Sequence, residues 1–483
     1  MHTPYFPQWR PRLAAFGRRV QQLRHATLDQ LERFFAGIFP PQLLSQTDQG
    51  PNSRERDFPV RRTFWLFLSQ VLTPHTACRS VVRQAQALLG LHSDQQIDSA
   101  TSAYVTARGR LPIQRLEQAL QHTATTADQR AGGPLGSLAG RPVKVVDATS
   151  TQLPDTSENQ RRYPQPSTQK PGCGFPVMKV MALFSLASGA VLHVVKESLH
   201  WHDIRLFRRL WGVLRRNDIV VGDRAFSDYV SLAFLPKRGV DVIGRLHQRR
   251  RPDFRRGQQR LGKCDALFIW TKPWLRPAYL TRKQWQSVPQ QITVRILRGR
   301  ISQRGFRTRQ LILVTTLLDP KLYPAQELFA VYQRRWRLEL CFRDLKTTMG
   351  METLSCRSPK MVHKELLMYL VAHNLIRCLM AEAAGLYDVA LDRVSFKGAI
   401  DATRHFSSAM AKARTKKQRR RLEAALLKIL AEDQVPDRPG RREPRAVKRR
   451  PKPYPLLNKP RHKFRDIPHR SRYTKKTTAK SRG

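Results

Sequence analysis

The chain has 483 residues, 41% of them hydrophobic, enough for two or three domains with real cores, and so it is not a disordered polyelectrolyte. Lys and Arg number 88 against 36 Asp and Glu, a formal net charge of +52, so the free protein repels itself and calls for a polyanion, nucleic acid being the natural one. The bases are spread along the whole chain rather than gathered on one amphipathic helix, which disfavours a membrane surface as the partner.

The first twenty residues, "MHTPYFPQWRPRLAAFGRRV", carry arginines but no apolar core or small-residue cleavage site, so no secretion signal is expected. No stretch approaches the roughly 18 uninterrupted apolar residues of a membrane span. Residues 1–122 read as a helical N-terminal domain, because "LDQLERFFAGIF", "RRTFWLFLSQVL", "CRSVVRQAQALLG" and "LPIQRLEQALQHT" space their apolar residues at helical intervals. The polar, Gly-containing stretch 123–140 reads as a linker.

From 141 the period changes. "PVKVVDATSTQLP", "FPVMKVMALFSL" and "AVLHVVKESL" predict three successive strands, followed by a helix at "DIRLFRRLWGVL", a strand at "DIVVGDRAF", a helix around 228–237 and a strand at "VDVIGRLH". This order describes an α/β domain over 141–390 with a mixed sheet. Residues 248–318 interrupt it with further strand-like runs among basic loops, read as a β-rich insertion. Helical periodicity returns at "AQELFAVYQRRWRLELCFRDLKTTMG" and "HKELLMYLVAHNLIRCLMAEAA", a helical C-terminal segment follows over 391–433, and 434–483 reads as a basic, disordered tail. The six cysteines show no CxxC or CxxH spacing, so neither a disulfide framework nor a zinc site is suggested.

Three acids stand out by placement: Asp147 at the end of "VKVVD", Asp223 at the end of "DIVVGD", and Glu339 within "YQRRWRLELCFRDLK". Carboxylates at the ends of buried strands project where loops meet and ligands bind, although an Asp after an apolar run is commonly a cap or turn residue. Glu339 is the odder case, a carboxylate among four arginines and a lysine. Helix geometry puts Tyr332, Arg335, Glu339, Arg343 and Lys346 on one stripe, with Leu328, Val331, Trp336 and Leu340 as an adjoining buried stripe. Arg-to-Glu pairing four residues apart explains the charges of that face but not its tyrosine.

These residues resemble a known family, the bacterial insertion-sequence transposases of the DDE class, specifically the IS-four family. Its signature on the last catalytic helix, Tyr-x2-Arg-x3-Glu-x6-Lys, is matched by Tyr332, Arg335, Glu339 and Lys346, and the stretches around Asp147 and "VVGDRAFSDY" are similar to its two aspartate blocks. The resemblance covers about 140–350. It implies a ribonuclease-H-like catalytic domain in which Asp147, Asp223 and Glu339 hold two Mg2+ ions, which Mn2+ can replace. It also implies DNA contacts from Tyr332, Arg335, Arg343 and Lys346. Clustered carboxylates would raise one another's pKa unless cations sat among them, and magnesium suits all-oxygen ligands, so the chemistry of the residues is compatible.

The implied function is a DNA transposase that cuts at terminal inverted repeats and joins the freed 3′-hydroxyl ends to target DNA, working as a homodimer on paired ends in a bacterial, nucleoid-associated, cytoplasmic setting. A nuclease of the same fold that cuts without joining, or a non-catalytic basic nucleic-acid-binding protein, remain the alternatives. Relatives that excise through a DNA hairpin stack a flipped base on an aromatic of the insertion; Trp270, Trp274 and Trp285 lie there, and core packing is the expectation for each. Basic pairs at Arg18–Arg19 and Arg61–Arg62 make the N-terminal helices the expected readers of the repeats.

Overall fold

Nine strands form one continuous path in the computed structural model, which describes residues 38–45, 57–92, 97–132, 136–300, 310–413 and 415–436, together with Phe35, Lys459 and Lys463. Apart from its first three residues and those two lysines, the basic tail predicted at 434–483 lies outside the described residues, as does Arg18–Arg19. The strands are β1 (Arg141–Gln152), β2 (Val177–Ser185), β3 (Val191–Ser198), β4 (Ile219–Gly222), β5 (Asp241–Arg245), β6 (Gln259–Gly262), β7 (Asp265–Thr271), β8 (Gln291–Arg300) and β9 (Gln310–Thr315). A two-residue strand, Ser137–Leu138, folds back on the start of β1.

The spatial order is β3-β2-β1-β4-β5-β9-β8-β7-β6. β1, β2 and β3 form an antiparallel meander, β4 and β5 join parallel to β1, and the remaining strands are antiparallel, so the sheet is mixed as its sequence order predicts. The strands of 248–318 do not form a lobe of their own. β9 pairs with β5 and carries β8, β7 and β6 outward along the same sheet, and Phe254, Ala266, Trp270, Val294 and Ile296 share a core with Val146 and Val220. An apolar strand with an open neighbouring edge extends the existing ladder before it can start a second one.

Helices α1 (Val60–Leu72), α2 (Cys78–His92), α3 (Ser102–Arg110) and α4 (Ile113–Ala131) precede the sheet. Residues 123–131, assigned to a linker by their polarity, are the second half of α4. Leu116, Ala119, Leu120, Thr123, Ala124 and Ala127 form a buried stripe of mostly small residues, and Gly132, at φ +43°, lets the chain leave the helix. The short helices α5 (Ser157–Arg162), α6 (Asp203–Leu210), α7 (Tyr229–Phe234) and α8 (Arg282–Gln286) punctuate the strands. After the sheet come α9 (Ala325–Arg343), α10 (Pro359–Leu386), α11 (Phe396–Lys412) and α12 (Lys416–Glu432).

The sheet has a core on each face. Val146, Leu183, Val220 and Val242 pack with α6 and α7 on one side, while Val143, Val145, Val221 and Ile243 pack with α9, α10 and the N-terminal helices on the other. α10 has the length and mean hydropathy (1.3 over its most apolar window) of a membrane span, but 94% of that window is buried inside the protein, so it is the central core helix. Asn374 on α10 fastens three elements: its side chain accepts from Val191 N at 2.8 Å, donates to Val191 O at 2.9 Å and reaches Thr123 Oγ1 of α4 at 3.3 Å.

The start of α9 is held by a buried ion pair. Arg295 of β8 is fully buried, donates Nε and Nη2 to Asp265 of β7 at 2.9 and 2.5 Å, and donates Nη1 to Tyr323 O at 2.8 Å, just ahead of the helix. Removing one partner of such a pair leaves an uncompensated buried charge. Asp265→Ala is therefore expected to destabilise the protein by about 3–5 kcal/mol, read as a lowered chemical-denaturation midpoint; a loss below about 1 kcal/mol would show that the Tyr323 carbonyl suffices.

Candidate active site

The pleat of the sheet decides which side chains meet. Val145 pairs with Val221, and Val221 with Ile243, and all three point into the core beneath α9. Side chains repeat every two residues along a strand, so Asp147, Asp223 and Arg245, each two residues further on, continue that row on the same face. Adjacent strands run about 4.8 Å apart, which sets the spacing of the row. Asp147 lies in the middle of β1 rather than at its end, because β1 runs on to Gln152 and pairs with β2 throughout. Asp223 immediately follows β4 and leads into a short turn of 3-10 helix, Arg224–Phe226.

α9 crosses over this row. Leu328, Val331 and Tyr332 are buried against the sheet, as is Arg335, while Glu339 keeps 53% of its side chain exposed. The stripe predicted beside them is corrected at its end: Leu340 is 44% exposed, and Phe342 and Leu345 take the buried positions, Phe342 meeting Phe184 of β2 edge to face at 5.0 Å. Beyond Arg343 the helix widens into a π turn, Asp344–Thr348, so Lys346 is shifted out of the α-helical phase that puts it over Glu339 in a regular helix.

Arg335 is the hub. Its Nη2 donates to Glu339 Oε1 at 3.0 Å and its guanidinium lies 5.5 Å from the centre of the Tyr332 ring. Burial disfavours its charge, yet Tyr332, Glu339, Asp147 and Asp223 together hold it protonated. Burial also pushes the Asp147 carboxyl above its usual range; the Ala148 amide (2.9 Å) and Arg335 oppose that rise, and Glu339 and Asp223 add to it. The Tyr332 hydroxyl is raised by burial and by Asp223, against Arg335 and Arg245. Asp147, Asp223, Glu339, Tyr332 and Arg335 are thus one electrostatic unit. Arg343 stands apart, its guanidinium 62% exposed and 3.7 Å from Asp344.

Arg245 belongs to this unit and was missed in the sequence. The signal was present, since "VDVIGRLH" runs in register with "DIVVGDRAF", but a register is invisible until the two strands are known to be neighbours. Among the described residues no three His, Cys, Asp or Glu side chains stand close enough to hold a metal ion together, Glu339 being engaged by Arg335. All six cysteines are free. Of the three tryptophans given to the core, Trp270 is buried with Arg250 stacked at 3.8 Å and Trp285 is partly covered by Lys272 at 4.5 Å, but Trp274 is 98% exposed beside Leu275, on the loop between β7 and α8.

The chain is similar to known proteins. The family described as Transposase DDE domain matches residues 138–375, a span holding all three acids. The transposase InsG for insertion sequence element IS4 of Escherichia coli (strain K12) is 25% identical over 338 residues, covering 68% of this chain and 72% of that one. These matches support a DDE-class transposase of the IS4 family. A solved piggyBac transposase synaptic complex with hairpin DNA is similar at 7% identity and a TM-score of 0.39, over 84% of this chain and 82% of that one.

Just past the acids of the transposase, Asp344 is buried at the start of the π turn, and burial pushes its carboxyl up to about 6 against the pull of Arg343 and Arg377. A carboxyl raised in the fold stabilises only while protonated, and that contribution is lost as pH rises from about 4 through about 6. Asp344→Asn is accordingly expected to raise stability at pH 7 by on the order of 2 kcal/mol, with the gain fading toward pH 4. Denaturant midpoints across that range check it, and a pH-independent gain would mean that the carboxylate is not ionised against its surroundings.

Proposed function

We propose that the transposase cuts DNA at the terminal inverted repeats of its element and joins the 3′-hydroxyl ends to target DNA, with Asp147, Asp223 and Glu339 as the catalytic carboxylates. The order β3-β2-β1-β4-β5, a meander extended by two parallel strands, is the part we read as ribonuclease-H-like. The observation that carries the reading is geometric: Asp147 and Asp223 continue one inward row of the sheet, and Glu339 lies on the helix that crosses over it, joined to the buried Arg335 at 3.0 Å.

The donor chemistry suits Mg2+, or Mn2+ in its place: three oxygen-only side chains, with Asp147 raised in pKa by burial and to a smaller extent by its like-charged neighbours, and with Glu339 on a half-exposed helix position from which it has to turn away from Arg335 to join the other two. Bound there, two such ions supply activation of the attacking oxygen and stabilisation of the leaving one. The chain's own residues do the rest. Tyr332, kept protonated by burial, donates a hydrogen bond to a phosphate oxygen. Arg335 and Arg245 present guanidiniums on either side of the acids, and Arg343 and Lys346 hold the strand beyond them, each phosphate contact adding salt-dependent affinity. Water is the nucleophile for the first cut and the DNA 3′-hydroxyl for the joining step, so no protein nucleophile is needed.

The helices before the sheet, with Arg61 exposed on α1, are assigned to reading the repeats, and two copies act on paired ends. Trp274 is the tryptophan of the insertion free to stack on a base turned out of the duplex. The test is Mg2+-dependent cleavage of DNA carrying the flanks of the encoding gene. Glu339→Gln is expected to lower cleavage by about a thousandfold or more while DNA binding persists. Pre-cut ends incubated with a plasmid target separate the second reading, a nuclease that does not join: absence of joined product would favour it, and cleavage unimpaired in the variant would remove Glu339 from the centre.

A further inference from the structure

The flank of α9 turned away from the catalytic acids borders a cavity of about 730 Å3, walled by the end of α9, by α10, by the turn between β2 and β3, and by the segment leading into α11. Five cationic side chains line it, Arg334, Arg343, Arg377, Arg393 and Lys397, against the carboxylates of Asp344 and Asp392. Two of the arginines are held in a particular way. Arg377 donates Nε to Ser188 O at 2.6 Å, and its guanidinium lies where a side chain would start at Gly189, a residue at φ +71° in the turn. Arg393 donates Nε to Val435 O at 3.1 Å.

Among the described residues the terminal nitrogens of Arg377 and Arg393 have no hydrogen-bond partner. A guanidinium fixed through Nε and open at both Nη atoms matches the two oxygens of a phosphate. Leu340, Met380 and Phe396 give the cavity an apolar floor suited to a sugar or an unstacked base. Arg343 lies between this cavity and Glu339 on the same helix. Half the circumference of a helix about 10–12 Å across is about 17 Å, covered by roughly five nucleotides of a strand rising 3.4 Å each.

We infer that this cavity is a second DNA-phosphate site, which receives a strand roughly five nucleotides from the catalytic acids, around the far side of α9. The inference rests on the proposed cleavage site being where the acids are. The same phosphate chemistry could come from the flank of the donor or from the target duplex, and the experiment separates them.

Wild-type protein and the Arg393→Gln, Lys397→Gln double variant are compared without divalent metal, by fluorescence anisotropy. One arm uses transposon ends with about three or about fifteen base pairs of flank; the other adds a labelled second duplex to the complex formed on pre-cut ends. A site for donor flank predicts that the affinity advantage of the long flank falls at least tenfold in the variant. A site for target predicts the same loss in capture of the second duplex. In either arm the log-log salt slope should be shallower by about 1 to 2, one for Arg393 and up to one for Lys397, whose ammonium also pairs with Asp401 at 2.9 Å. The charge-preserving pair Arg393→Lys, Lys397→Arg should restore the salt slope while recovering only part of the affinity, because a lysine at 393 keeps the charge but not the two-pronged contact, a split which a variant that merely misfolds would not show. Wild-type affinities and slopes in both arms would overturn the inference. Cleavage scored on the same DNA with Mg2+ added keeps the two readings apart, because binding without cutting by the wild type counts against the catalytic assignment and not against the cavity.

Discussion

The structure depends on a register. Val145, Val221 and Ile243 stand abreast in three neighbouring strands, and because side chains alternate with period two, the next inward positions are Asp147, Asp223 and Arg245. Sliding β4 by one residue against β1 would turn Asp223 into the opposite core, among Phe207, Phe226 and Val230, where a carboxylate has no partner. The apolar residues before each acid therefore set the chemistry: they are buried on alternate faces, they lock the register, and the register aims the polar residue that follows.

Glu339 reaches that row only if α9 stays at a fixed height above it, and several contacts hold it there. Arg295 secures the segment before the helix, and Phe342 against Phe184 seats its end. α10 lies in the same core and is bound to α4 and β3 through Asn374. Its Lys364, buried, donates to the carbonyls of Arg108 and Gly109 at 3.3 and 2.5 Å, capping the end of α3. The helices before the sheet are consequently built into the same packing as α9 rather than tethered to it, and a change in their position would be felt at α9 through the shared core.

Much of this was legible in the sequence. The change of period at 141, the order of strands and helices, and the separate placement of the three acids all follow from local patterning, and the four-residue signature on α9 pointed to the family. What escaped depends on non-local packing. Residues 123–131 look like a linker because Thr, Ala and Gln are polar or small, yet those are the residues that let α4 lie close against α10. The strands of 248–318 look like an insertion because basic loops surround them, yet the open edge of β5 draws them into the main sheet. The π turn at Asp344–Thr348 has no local signature, and it moves Lys346 off the stripe that regular geometry assigns it. Trp274 reads as core from its type alone, yet it stands exposed on the loop between β7 and α8.

The electrostatic pattern has its own logic. Asp147, Asp223 and Glu339 against Arg335 and Arg245 leave the centre with three negative charges to two positive, one in excess, inside a chain whose formal charge is +52. A small negative spot in a positive molecule selects two partners by sign alone, compact cations for the spot and a polyanion for its surroundings. Arg335 supplies an opposing charge from within the protein itself. A buried guanidinium among carboxylates relieves part of their repulsion, while its long range of contact to all three acids ties its own orientation to theirs. Replacing it by an apolar residue of similar volume would leave Asp147 still buried beside Glu339 and Asp223 with no opposing charge at the hub, so the arginine is a condition of assembling the acids as well as a group beside them.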